Sequence, residues 1–234
     1  MFIQEKNFKF KKILDEDFFA KYKKGNFFVL TLDFDGVFTN NHQAKADGLN
    51  RKGYNLKPGE TSRKHCLEVV GMPLEDYLEG SLYSYIEMLP QVPLEKDVKS
   101  IFSKLRKLPS IKIFIVTSRY EKDEGSKRNS IPAVEAYLKQ HGLTIDGLFN
   151  TAYGSKEEIL ARLGANVLVE DTPSKLYEVF KDPKTCQQLD PRLEHCTFFL
   201  FRNAGNIEEK KARGKSKLLE GWKDLLQYVK EKIH

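Results

Sequence analysis

The sequence predicts an α/β protein, a parallel sheet flanked by helices, with a helical insertion placed over one end of the sheet. Three observations predict it. Short apolar runs rich in strand formers recur along the chain, and each stops abruptly at polar or acidic residues. Helical patterns fill the intervals between them. The interval between the first two runs is too long for a crossover helix alone.

The first run, Phe-Phe-Val-Leu-Thr-Leu at 27–32, stops at Asp33. Residues 38–110 follow before the next run, which implies an insertion of about 50 residues. Within it Leu74, Leu78, Leu82, Tyr85, Ile86 and Leu89 fit one helical face, and Pro90 and Pro93 punctuate its end. The expected division is a basic N-terminal extension at 1–26, a core made of 27–41 and 93–234, and a helical cap at 42–92. The extension is expected to be helical around 15–22. Leu94, Val98, Ile101, Phe102, Leu105 and Leu108 then follow helical spacing into the second run, 111–116, which stops at Thr117-Ser118-Arg119.

A further helix is expected through Val134, Tyr137, Leu138 and His141, opened by Ser130 and Pro132 and stopped by Gly142. Ser155-Lys156-Glu157-Glu158 has the form of a capping box, starting a helix through Ile159, Leu160 and Leu163 to Gly164. The third run, 166–169, stops at Glu170-Asp171, and a short helix is expected from Thr172-Pro173. Residues 196–201 read as another strand, and Leu218, Trp222, Leu225, Leu226 and Val229 as an amphipathic C-terminal helix. In such a sheet the strand C-termini share one edge, where ligands bind.

Composition narrows the class. The 234 residues are 40% hydrophobic and 31% charged, with 16 Phe and 10 Tyr, which supports a packed core and argues against wholesale disorder. No apolar run approaches the roughly 18 residues needed to span a bilayer, and no signal-peptide core opens the chain, so a cytoplasmic protein with no membrane partner is expected. Cys66, Cys186 and Cys196 are odd in number and widely separated, which argues against a disulfide framework or a zinc site. The net charge of +6 favours anionic substrates. Much of the excess lies at lysines 6, 9, 11, 12, 21, 23 and 24 and in the run 210–217, where a solvated surface is favoured over a nucleic-acid patch.

The chemistry gathers at the strand ends. Asp33-Phe34-Asp35-Gly36-Val37 sets two carboxylates two residues apart where the chain leaves the sheet. One carboxylate can attack phosphorus while the other moves protons. Taken alone the pattern also fits an Asx turn. Glu170-Asp171 adds hard oxygen ligands suited to Mg²⁺, which would offset the repulsion among converging acids. Thr117 or Ser118 can hydrogen-bond a phosphate oxygen, and Lys156 at a helix start adds positive charge.

Strand-DxDGV, strand-Thr/Ser, Lys at a helix start and strand-acidic pair, in that order, resemble the four motifs of the haloacid dehalogenase superfamily. The resemblance covers about residues 27–203 and implies a Rossmann-like α/β core. It further implies that Asp33 is the nucleophile and Asp35 the acid/base, whose backbone carbonyl also meets Mg²⁺. Thr117 becomes the second-motif hydroxyl, Lys156 the third-motif cation and Asp171 a metal ligand, with Glu170 a further ligand or a partner of metal-bound water. The dehalogenases lack an acid at the position of Asp35, so its presence points to phosphoryl chemistry.

The insertion resembles the helical caps of small-molecule phosphatases, and the Thr117-Ser118-Arg119 and Glu170-Asp171-Thr172-Pro173 segments resemble deoxyribonucleotidase-type members. A magnesium-dependent phosphomonoesterase acting on a small phosphorylated metabolite such as a nucleotide is therefore expected. Arg119 would meet a substrate phosphate or sugar oxygen. Phe38, Tyr54, Tyr83 or Tyr85 could stack on a base, with core packing the favoured alternative. The charged stretch 119–128 resembles a loop of polynucleotide-end phosphatases, which keeps a nucleic-acid substrate open without favouring it. A catalytically idle binding protein is the remaining alternative. His42 and His65 are given no role.

Overall fold

The computed structural model describes residues 2–4, 10–12, 16–119, 130–151, 155–182, 184, 186–203, 206 and 213–233. All of the charged stretch beyond Arg119, at 120–128, and Lys210, Lys211 and Ala212 of the basic run lie outside the described residues.

Strands β1 (Phe2–Gln4) and β2 (Phe10–Lys12) pair antiparallel, with Phe2 opposite Lys12. Helix α1 (Glu16–Lys24) leads into β3 (Phe28–Leu32). Between β3 and the next strand the chain is helical: α2 (His42–Asn50), a π-helical turn His65–Val69, α3 (Leu74–Leu82), a second π-helical turn Tyr83–Glu87, and then α4 (Val98–Leu105). The rest alternates: β4 (Ile111–Thr117), α5 (Ser130–His141), β5 (Gly147–Asn150), α6 (Lys156–Leu163), β6 (Val167–Glu170), α7 (Pro173–Tyr177), β7 (Thr197–Phe201), β8 (Lys217–Leu219) and α8 (Trp222–Ile233).

The main sheet has the order β5-β4-β3-β6-β7-β8, and every neighbouring pair is parallel. Strand β3 sits where the order reverses, with β4 on one side and β6 on the other. Crossovers leaving in opposite directions open a crevice at the carboxyl end of such a strand. That is where Asp33 stands.

Alternate residues of each strand face opposite layers. Leu30, Leu32, Ile113, Ile115, Val167 and Val169 pack with α4, α5 and α8, whereas Val29, Phe114, Val116 and Leu168 pack with α1, α6 and α7. The N-terminal helix is thus joined to the core, with Tyr22 edge-on to Phe114 at 4.9 Å and Phe19 stacked on Phe149. The inserted helices hold a small cluster of their own, Leu49, Leu56, Cys66, Met72 and Tyr77. All three cysteines are buried and free.

Local signals account for most boundaries. Ser155 caps α6 by accepting the Glu158 N–H at 3.3 Å, and Gly164 ends it in the left-handed region at φ +65°. Two expectations need correction, and one strand of the sheet had not been expected. Leu218 lies in β8, not in the C-terminal helix; its four-residue spacing to Trp222 imitates a helix, but the segment adds to the sheet edge beside β7. The unexpected strand is β5, whose four residues are too few to stand out. The long helix expected from Leu74 to Leu89 stops at Leu82 and widens into the π-helical turn, and Leu74, at its start, is exposed.

Trp222 ties the C-terminal helix to the loop after β3. Its indole N–H donates to the Val37 carbonyl at 2.8 Å, and its ring packs edge-on against Phe38 at 5.1 Å. Trp222→Ala should lower stability by about 3–5 kcal/mol through the cavity and the orphaned carbonyl. Thermal denaturation should show a drop of roughly 6–20 °C.

Candidate active site

The carboxyl ends of four adjacent strands supply the polar groups of the site. Asp33 continues the ladder of β3 for one residue, its N–H donating to the Val169 carbonyl at 2.8 Å, so its side chain leaves from a fixed backbone. The chain then turns at Gly36, whose φ of +76° favours glycine. A Cβ there would lie 2.0 Å from Asp171 Oδ2 and 2.6 Å from Asn203 Nδ2. Glycine therefore serves both the turn and the close approach of the third strand end.

Asp33, Glu170 and Asp171 each offer a carboxylate oxygen, and these oxygens lie within 4.8 Å of one another. Asp33 and Glu170 are buried. Lys156 bonds Glu170 and lies 3.4 Å from Asp33 Oδ1. Burial weakens the charge on this ammonium, yet Glu170 and Asp33 outweigh that and raise its pKa. Burial, reinforced by Glu170, pushes the Asp33 carboxyl well above its usual range, with Lys156 opposing. Burial and Glu170 likewise push Asp171 up to about 7, against hydrogen bonds from Asn203 and Thr172.

Such a donor set fits a hard divalent cation: three carboxylates gathered in one place, with one nearby ammonium to offset them. The side chains of Asp33, Glu170 and Asp171 are those placed to hold it. Glu170 also accepts the Thr172 N–H at 3.2 Å, so both its oxygens already have protein partners.

Asp35 stands apart from this cluster. Arg119 donates to both its oxygens, Nε to Oδ2 at 2.7 Å and Nη2 to Oδ1 at 2.6 Å, and Asn41 adds a third bond at 2.7 Å. Arg119 was expected to meet a substrate oxygen. Instead it is 1% exposed, donates through Nη1 to the Tyr85 carbonyl at 3.0 Å, and is flanked by the rings of Phe34 and Tyr85. The residue five positions after Tyr85 is Pro90, which has no N–H for that carbonyl in a π-helical turn.

Thr117 is buried at the end of β4. Ser118 is exposed and its hydroxyl pairs with Thr151. Beside them a cavity of ≈ 220 Å³ is lined by Ser118, Thr151, Ser155 and Lys156, among others. The aromatics considered for base stacking are otherwise engaged. Phe38 is buried against Trp222, Tyr54 donates to Asp76 at 2.9 Å, Tyr83 carries Arg51, and Tyr85 carries Arg119.

Several residues that the sequence reading did not single out complete the site. Asn203, just beyond β7, donates to Asp171 Oδ2 at 2.8 Å and to the Gly36 carbonyl at 3.0 Å. Asn206 donates to the Asp171 carbonyl at 2.6 Å. A signal for Asn203 was present, since the run at 196–201 ends in polar residues as the other strands do. Asn41, His42 and Lys45 come from the start of the insertion, where sequence spacing says nothing about the strand ends.

No family model matches the chain, and no curated protein matches it in sequence. Solved structures do resemble it. A predicted phosphatase from Clostridium acetobutylicum superposes with a TM-score of 0.60 at 11% identity, covering 88% of this chain and 99% of its own. A haloacid dehalogenase superfamily hydrolase of subfamily IA from Geobacter sulfurreducens gives 0.51 at 12% identity, covering 88% and 97%. A β-phosphoglucomutase from Clostridium difficile gives 0.50 at 14%, covering 88% and 96%. These likenesses establish the fold: the chain has the Rossmann-like α/β architecture shared by haloacid dehalogenase-type hydrolases.

Two predictions follow from the carboxylate cluster. Asp171 holds its proton more tightly folded than unfolded, so in metal-free protein its contribution makes stability fall as pH rises from about 4 to about 7. Mg²⁺ should then raise the thermal midpoint more at pH 8 than at pH 5, by roughly 5–10 °C at a hundredfold excess over its dissociation constant. An equal shift at both pH values would contradict this. Gly36→Ala should abolish most of that Mg²⁺ shift while leaving a cooperative unfolding transition, because its Cβ displaces Asp171.

Proposed function

We propose that the protein is a magnesium-dependent phosphomonoesterase that works through an aspartyl-phosphate on Asp33. The observation carrying this reading is the placement of Asp33, buried at the end of the central strand between Lys156 and the Glu170/Asp171 pair. A carboxylate so placed can approach a phosphoryl group whose charge Lys156, and a cation held by the acids, would offset. The fold shared with haloacid dehalogenase-type hydrolases supports it.

In the proposed cycle Asp33 attacks phosphorus and the bond to the leaving oxygen breaks, while Asp35 gives that oxygen a proton. Asp35 then takes a proton from water as the water attacks phosphorus, breaking the bond to Asp33 and releasing phosphate. Lys156 holds the nucleophile in line and offsets the negative charge of the transferring group. Bound among Asp33, Glu170 and Asp171, Mg²⁺ supplies further neutralisation of that charge. Thr117 and Ser118 are the proposed hydrogen-bond donors to its oxygens.

Asp35 cannot act while three donors saturate it, so the cycle requires Arg119 or Asn41 to yield. Because Arg119 also grips Tyr85, that release is coupled to the inserted helices, which we assign as a cap over 42–92. A cap that meets the acid/base this closely suits a small phosphorylated metabolite better than a polymer.

Asp33→Asn should reduce kcat by at least about a thousandfold with the fold intact, since it removes the nucleophile but little volume. Near-normal turnover after excluding deamidation would sink the covalent route. Asp35→Asn should cost about a hundredfold or more with alkyl phosphates and far less with p-nitrophenyl phosphate, whose leaving group needs no proton. Phosphate release should be measured with Mg²⁺ and with EDTA across sugar phosphates, mononucleotides and a 3′-phosphorylated oligonucleotide. Turnover confined to the oligonucleotide would replace the small-substrate reading with nucleic-acid end processing.

A further inference from the structure

Helix α2 brings His42 and Lys45 to the cap side of Asp35, one helical turn apart and so on neighbouring positions of one face. Both lie within electrostatic reach of the Asp35 carboxylate. His42 is 8% exposed, and its Nε2 is buried without a hydrogen-bond partner. Asn203, which braces Asp171 and Gly36, lies beside the imidazole. Burial first, and then the neighbouring Lys45 charge, lower the His42 pKa; with its proton on Nε2, the ring presents an N–H donor that no protein acceptor takes.

Lys45 is the complementary half of this arrangement. Its ammonium lies 5.4 Å from the centre of the Tyr77 ring and neighbours Tyr85. Among the described residues no carboxylate comes within 4.0 Å of it. The acid within reach, Asp35, already has its oxygens filled by Arg119 and Asn41. A half-buried cation beside aromatic rings, without a carboxylate in contact, gains more from an incoming anion than a fully solvated lysine would.

We propose that His42 and Lys45, with the hydroxyls of Tyr77 and Tyr85, form a subsite for a second anionic group, a carboxylate or a phosphate, carried on the leaving group of the substrate. The assignment rests on the phosphatase reading above, in which Asp35 protonates the leaving oxygen. Groups flanking Asp35 from the cap then face the leaving group, whereas the transferring phosphoryl group sits with Asp33 and Lys156. The subsite favours phosphorylated hydroxy acids and bisphosphates over esters with an uncharged leaving group, mononucleotides included.

Matched esters test it. 3-Phosphoglycerate and glycerol 3-phosphate differ by a carboxylate in place of a hydroxymethyl group, and fructose 1,6-bisphosphate and fructose 6-phosphate differ by a second phosphate. The wild-type protein should favour the charged member of at least one pair by about tenfold or more in kcat/KM. Lys45→Met should bring that ratio to within about threefold of one, chiefly by raising KM for the charged ester. No preference in either pair overturns the proposal, as does a Lys45→Met loss that is equal for both members. Should Lys45→Met fail to fold, Lys45→Gln and the wild-type ranking decide.

Calorimetry separates this inference from the reaction it rests on. If none of the esters is turned over, the phosphatase reading fails, but the subsite still predicts tighter binding of 3-phosphoglycerate than of glycerol 3-phosphate by the wild-type protein. Equal affinity, or no binding of either, overturns it.

Discussion

The site depends on holding three carboxylates together at the ends of two adjacent strands. Asp33 and the Glu170/Asp171 pair converge because β3 and β6 are parallel neighbours in register, Leu32 opposite Val169. Left alone, buried acids at this spacing repel one another and resist ionisation, which is why Asp33 and Asp171 are both pushed upward. Lys156 supplies one compensating charge from the start of α6, and Ser155 fixes that start by capping it. Glycine at 36 and the amide of Asn203 keep Asp171 close without a steric clash. These features make sense together as a frame for a cation and a phosphoryl group. None of them contributes much to stability by itself, since the paired ammonium only partly offsets the burial of charge.

Around this centre the second carboxylate is managed differently. Asp35 sits two residues from Asp33 in sequence, but a bidentate arginine and an asparagine hold it away from the cluster. Arg119 belongs to the end of β4 and reaches the cap through Tyr85, so three parts of the chain meet at one guanidinium. In the proposed cycle this contact would link the inserted helices to Asp35. A rotation of Tyr83–Glu87 relative to the sheet would change the bonds that Asp35 makes. Closure over a substrate and release of the acid/base would then be one motion.

Much of this was legible in the sequence, and the reasons are physical. Buried parallel strands leave uninterrupted apolar runs, so β3, β4, β6 and β7 stood out with their polar endings, and Asp33, Thr117, Glu170 and Asp171 with them. Local capping chemistry located Lys156. Short edge strands left no such trace: β5 and β8 borrow most of their definition from the neighbour they pair with. Arg119 was visible as a residue but not as a partner of Asp35, because the contact spans 84 positions and no periodicity encodes it. His42 and Lys45 were passed over although they lie close to Asp35 in sequence. Their importance lies in how the cap is set over the sheet, which tertiary packing alone decides.

The central claim is that Asp33 becomes covalently phosphorylated. The most direct test is to quench the protein with borohydride during turnover of a phosphomonoester in Mg²⁺, since borohydride reduces an acyl phosphate to an alcohol. Peptide mapping should recover residue 33 as homoserine in a substrate-dependent fraction of the protein, with Asp35, Glu170 and Asp171 unmodified. Active turnover with residue 33 recovered only as aspartate, or with the reduction at another carboxylate, would contradict the account.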